Sequence, residues 1–290
     1  IIQHKLPLNN NVKMNMPLSG SKFSFLMLIF IYSTITQAQV AHSNIGSSKK
    51  IAMIPAGSFT MGSNTGSDDE KPVHTVFIQS FFLDVLPVTN AEFAAFLNSQ
   101  GLKNQRGESF YDDQDNDARI HLHHSKWQAD DGYAMHPVNE VSWIGAHDYC
   151  NWLKKRLPTE AEWEKAAKGT DGRKYPWGNT KPNNKLALYG AAYNASAPVD
   201  AFPDGASPYG ILDMAGNQWE WVSSAYNPYP YRSDDGRENQ TPGPIRSTRG
   251  GGHDSSEEEI TATQRGRNLS RNPKAGHHNI GFRCALSAKE

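Results

Sequence analysis

The sequence predicts a single, loop-rich domain that mixes short strands with a few short helices, and three observations lead there. Glycine (24 residues) and proline (17) punctuate the chain, which limits long regular elements. Seven Trp and eleven Tyr beside a low aliphatic content describe a core that leans on aromatic rings. Beyond residue 50 there is no linker-like shift of composition and no internal repeat, which favours one unit over two.

The amino-terminal segment is set apart first. Lys22 precedes the apolar run 23–32 (FSFLMLIFIY), polar residues follow, and Thr36 and Ala38 are small residues at cleavage positions. About ten apolar residues fall short of the ~20 that cross a bilayer as a helix, so the expectation is a signal peptide and no stable membrane anchor. Residues 1–38 are expected to be upstream residues and signal peptide, with Met14 and Met16 as candidate starts, 39–50 a flexible linker, and 51–290 the domain. Export to a periplasm or the outside of the cell follows as an expectation. Lys plus Arg (29) balances Asp plus Glu (30), which removes the electrostatic warrant for a nucleic-acid partner.

Residues 51–61 (IAMIPAGSFTM) and 74–82 (HTVFIQSFF) read as a pair of strands. Thr89 with Glu92 forms a capping box for a helix over 90–99, closed by Gly101. Trp143, Ala146, Cys150 and Leu153 recur at helical spacing after Ser142 and stop before Pro158, so one face of this second helix is expected to be buried. A third helix starts at Thr159, with Glu162 completing another capping box, and ends at Gly169. From 172 onward, Gly, Pro and Asn predict tight turns and short strands only.

A series of short motifs runs through the chain: 54–62 (IPAGSFTMG), 87–90 (PVTN), 136–138 (HPV) with 141–143 (VSW), 149–150 (YC) and 156–164 (RLPTEAEWE). Further on come 175–178 (YPWG), 198–199 (PV), 209–221 (YGILDMAGNQWEW), 249–251 (RGG) and 281–285 (GFRCA). In this order they resemble the formylglycine-generating enzymes, the sulfatase-modifying-factor superfamily. The resemblance implies an α+β fold of the C-type-lectin-like kind, poor in regular structure. Fold alone does not fix activity, because the superfamily also holds sulfoxide synthases and a siderophore-maturation protein.

The resemblance also implies site residues. An even count of two cysteines in an exported chain suggests a bridge, and the family joins the two positions that are Cys150 and Cys284 here. The family holds a structural calcium ion at the positions of Asp213, Gly216, Gln218 and Glu220, two carboxylates and backbone carbonyls suited to a hard cation. A second family calcium site has no secure counterpart, since Asn184 and Leu188 compete for its position. Oxidase members bind copper through two cysteines after the Arg-Gly-Gly turn; here Ser255 and Ile260 stand there, so no copper is expected. Trp219 and Asn279 match cleft residues, which places a ligand cleft at Trp219, His253, Ser255 and Asn279, with Asp254 and Glu257 near it.

These readings leave two functions open. One is a non-oxidase module whose cleft binds a peptide, a protein or a small ligand. The other is an enzyme of another oxidative or hydrolytic maturation reaction, with His253 and Ser255 as candidate catalytic groups. His121, His123, His124, His277 and His278 match no zinc-site spacing. The acids of 113–117 (DQDND) alternate like the start of a calcium loop, but without Gly at the sixth position or Glu at the twelfth they read as a surface loop.

Overall fold

A computed structural model describes residues 49–241, 243, 245–266 and 272–288. The expected signal peptide and residues 39–48 of the expected linker lie outside the described residues. Among the described residues, no helix is long and apolar enough to cross a membrane.

The first stretch read as one strand is two, β1 (Ile51–Ile54) and β2 (Gly57–Met61), and the second is likewise β3 (His74–Ile78) and β4 (Phe81–Asp84). Pairing is antiparallel as expected, but β1 pairs with β4 and β2 with β3 in separate sheets. Pro55 supplies the break, because it has no N–H to continue a ladder. Helix α1 (Asn90–Gln100) starts on its capping box: Glu92 N donates to Thr89 Oγ1 at 3.3 Å and Thr89 N to Glu92 Oε2 at 2.9 Å. Gly101, at φ +80°, ends it by donating to the Leu97 carbonyl.

Helix α2 (Trp143–Trp152) is capped by Ser142, and Trp143, Ala146 and Cys150 are buried as the spacing required. Helix α3 (Glu160–Lys168) is capped by Thr159 and closed by Gly169. Two further strands, β5 (Ile120–His123) and β6 (Lys126–Ala129), form a hairpin that packs on α1. After α3 the described residues hold short strands and single 3₁₀ turns: β7 (Trp219–Ala225), β8 (Arg246–Arg249), β9 (Ile280–Phe282) and β10 (Ala285–Ser287). β7 lies between antiparallel β8 and parallel β9, while β10 returns to pair with β4.

The core is aromatic. Phe93, Phe96, Tyr149 and Phe282 meet at ring-centroid distances of 5.3 to 6.0 Å, in the range where edge and offset ring packing adds to burial. Trp143 and Trp221 are fully buried and donate their indole N–H to the carbonyls of Val222 and Val141. Cys150 and Cys284 are bonded, with Cα atoms 5.6 Å apart, and join α2 to the end of β9. This bridge follows the pairing that the family resemblance implied.

Candidate functional site

The parallel pairing of β7 with β9 brings two turns together. Trp219 N donates to the Asn279 carbonyl at 2.8 Å, so the turn before β7 (213–218) faces the His277-His278-Asn279 segment. A third turn, after β8, carries Gly250 and Gly251 at φ +97° and +80° and delivers His253. A side chain at Gly252 would meet the Trp219 indole at 3.0 Å, so glycine there lets the turn lie against the ring.

His253 is fully buried with both ring nitrogens engaged. Nδ1–H donates to the Asn217 carbonyl at 2.9 Å, which leaves Nε2 to accept from Asn194 N at 3.0 Å. Burial lowers its pKa, so the ring stays neutral. Ser255 Oγ accepts from Gly252 N at 3.0 Å and closes the same turn. No hydrogen bond joins the candidate catalytic groups His253 and Ser255 to each other among the described residues, so they are not arranged here as base and nucleophile. The physical reason is local: each side chain satisfies a backbone group of the turns that hold it.

The residues expected to line a cleft do lie together, and they are buried. Trp219, His253, Ser255 and Asn279 are all buried, while beside them Tyr193 and Asp254 are exposed and His278 is half-buried. Asn279 Nδ2 donates to Asp254 Oδ1 at 3.0 Å, and His278 Nε2 lies 3.5 Å from Asp254 Oδ2. The His278 ring and, against the cost of burial, the Asn279 amide hold the Asp254 carboxyl at about 2. The Tyr193 ring lies tilted against His278, with centroids 4.1 Å apart. His253, Asp254 and His278 bring one ligand atom each within 4.8 Å of one another. Asp254 was expected near this site, but His278 and its meeting with Asp254 had no motif to announce them, since that meeting depends on the β7–β9 pairing. A separate cavity of about 920 Å3 opens elsewhere, lined by Phe96, Phe110, Trp143 and Trp152.

In the turn expected to hold calcium, the two carboxylates differ. Glu220 accepts from Arg283 Nη2 at 2.6 Å and Nε at 2.8 Å, and from the Trp163 indole at 2.8 Å, so its carboxylate already has a cation. Arg283 also donates to the Asp213 carbonyl at 3.1 Å. Asp213 is different: Oδ2 accepts from Asn217 Nδ2 at 2.8 Å, while Oδ1 is buried with no partner. Burial pushes the Asp213 carboxyl up to about 8. Of the two carboxylates, Asp213 is left with an oxygen for a cation, whereas Glu220 already has Arg283 beside it.

Ile260 is fully buried beside Tyr175, Ala187 and Ala215, and Ser255 is fixed in its turn, so neither cysteine position offers a metal ligand of comparable softness. Glu257 sits in a 3₁₀ turn, half-exposed near Lys181, and takes no part in the cluster.

The fold and these turns define a sulfatase-modifying-factor module. The chain belongs to the Sulfatase-modifying factor enzyme 1-like domain family, which matches residues 36–288. It is 37% identical over 248 residues to the "Serine/threonine-protein kinase pkn1" of Chlamydia caviae, covering 83% of this chain and 38% of that one. The chain thus spans about two fifths of the length of such chlamydial relatives. It is 32% identical over 282 residues to the "Formylglycine-generating enzyme" of Mus musculus, covering 81% of this chain and 74% of the other. Among solved structures, PvdO from Pseudomonas aeruginosa superimposes with a TM-score of 0.64 at 25% identity, over 83% of this chain and 95% of that one.

Proposed function

We propose that this chain is an exported, non-oxidase member of its family, a binding module whose recess at Tyr193, Asp254, His278 and Asn279 takes a peptide, a protein segment or a small ligand. One observation carries the reading. The two thiols are bonded to each other in the aromatic core, and the positions after the Arg-Gly-Gly turn hold a serine that caps its own turn and a buried isoleucine. Cu(I) needs soft thiolates, and oxygen or hydrocarbon does not replace them. Such a recess would offer the parts of a binding site: an ionised carboxylate, two donors and an aromatic ring, beside His253 and Ser255, which are already hydrogen-bonded. Calcium enters this reading as a structural ion near Asp213, where it would supply the partner that Oδ1 lacks.

The grouping of His253, Asp254 and His278 favours a second reading, an enzyme that places a transition metal on two imidazoles and a carboxylate. It asks His253 Nε2 to give up the half-buried Asn194 N–H, a hydrogen bond of about 0.5–1.5 kcal/mol. The binding reading needs no such rearrangement. Cys-x-Pro-x-Arg peptide incubated with the protein, copper and oxygen should yield no aldehyde above a no-enzyme control, and Asp254→Ala should weaken ligand binding without unfolding. Stoichiometric transition metal retained by wild type and lost in His278→Ala would move the assignment to the enzyme.

A further inference from the structure

The acidic loop at 112–117 lacks the twelfth-position glutamate of a calcium loop, and the fold supplies a carboxylate from elsewhere. The carboxylates of Asp112, Asp115 and Glu140 bring one oxygen each within 4.8 Å of one another. The two aspartates are exposed and alone would be an ordinary acidic surface. Glu140 is the independent observation. It is only 2% exposed, yet its carboxylate makes no hydrogen bond or ion pair among the described residues and faces the two aspartates. The charged groups around it are Asp112, Asp115 and Asp117, all of one sign. A buried carboxylate set against three others without a cation is strongly unfavourable.

The surrounding backbone holds the three in place. Asp112 N donates to the Glu140 carbonyl at 2.9 Å, and Tyr111 and Val141 bridge beside it. Asp112 Oδ1 accepts from Gln114 N and Asp115 Oδ1 from Asp117 N, which shapes the loop. Asn139 Nδ2 donates to the Asp117 carbonyl at 2.6 Å, and its Oδ1 is buried without a partner, so a neutral oxygen is orphaned against the same loop.

We propose that Asp112, Asp115 and Glu140 form a calcium site, separate from the turn at Asp213. Three carboxylates from two chain segments, two of them open to water, give the hard oxygens and adaptable geometry that calcium takes in six- to eight-fold coordination with water, in contrast to the near-ideal octahedron of magnesium. The site also has a mechanical reach. Asp117 Oδ2 accepts from Tyr193 Oη and Oδ1 from Asn194 Nδ2, both at 2.7 Å, and Asn194 N is the donor to His253. Glu140 N in turn donates to the His277 carbonyl. Ordering this loop therefore ties down both sides of the recess, although calcium binding itself does not depend on what the recess binds.

The test is calorimetric titration of the full chain, stripped of metal, with calcium chloride. A site should appear in wild type, weaken at least tenfold in Asp115→Asn and Glu140→Gln, persist in Asp213→Asn, and resist an equal concentration of magnesium. Asp112→Asn/Asp115→Asn alters only exposed side chains, so it guards against a Glu140 variant that fails to fold. Wild-type affinity in Asp115→Asn and in the double variant would overturn the proposal, as would calcium binding lost only in Asp213→Asn.

Discussion

At the scale of single residues, the cysteine positions were legible and the histidine was not. Cys150 and Cys284 sit inside recognisable motifs, and their bond follows from the pairing those motifs imply. His253 could be placed near the site, but its role depends on Asn217 and Asn194, 36 and 59 residues away, which no local pattern reveals. The geometry makes it a strut. Its pKa is lowered by burial, so the unfolded chain takes up a proton that the folded state refuses, and stability falls as pH drops below the free imidazole value of about 6.5. A variant without the imidazole lacks this dependence. His253→Gln should cost about 2 kcal/mol at pH 8, two hydrogen bonds' worth, and the gap to wild type should narrow at pH 5. Denaturant titrations at both pH values check this, and lowered His136 and His277 cancel because both proteins carry them. A gap that stays constant would show that the ring accepts a proton in place.

At the scale of elements, helix ends were read correctly because capping is local chemistry: Thr89, Ser142 and Thr159 each accept from the backbone three residues on. The strands were only half legible. Pro55 was in view, yet its power to split one strand between two sheets shows only once the partners β3 and β4 are known. What α3 does was hidden altogether. Its Glu160 and Glu164 are fully buried and meet Arg265 at 2.7 Å and Arg249 at 2.6 Å, from opposite ends of the segment 250–264. Burial opposes the charge on Glu160, but the two guanidinium groups outweigh it and hold the carboxyl below its usual range. Removing one partner strands the others in the interior. Glu160→Gln should therefore cost about 3–5 kcal/mol, against about 1 for Thr159→Ala at the same helix end. Urea midpoints of the two variants compare them directly, and equal losses would mean that the network contributes no more than a cap.

At the scale of the whole molecule, the chain folds back on itself so that its last strands pair with strands that start at residues 81 and 219, and the disulfide clasps that return. The same topology brings the acids of 112–117 to Glu140, which explains why a sequence scan for a contiguous calcium loop missed them. The disulfide spans 134 residues, and in the chain-entropy model a loop of that length is worth about 5 kcal/mol at most. Both sulfurs lie among Phe93, Tyr149 and Phe282, not on the turn after Arg249 where the family's oxidases place their copper ligands. Reduction should then do one thing and not another. It should lower the denaturation midpoint by an amount approaching that figure, with two thiols alkylated only after unfolding. It should not create an oxidase, because the released thiols stay in the core while Ser255 and Ile260 still occupy the turn. Reduced protein given copper, oxygen and Cys-x-Pro-x-Arg peptide is expected to form no aldehyde, by mass analysis of the peptide. Aldehyde appearing on reduction, and lost again in Cys150→Ser, would mean that these two sulfurs reach copper after all and that the chain holds a masked oxidase rather than a binding module.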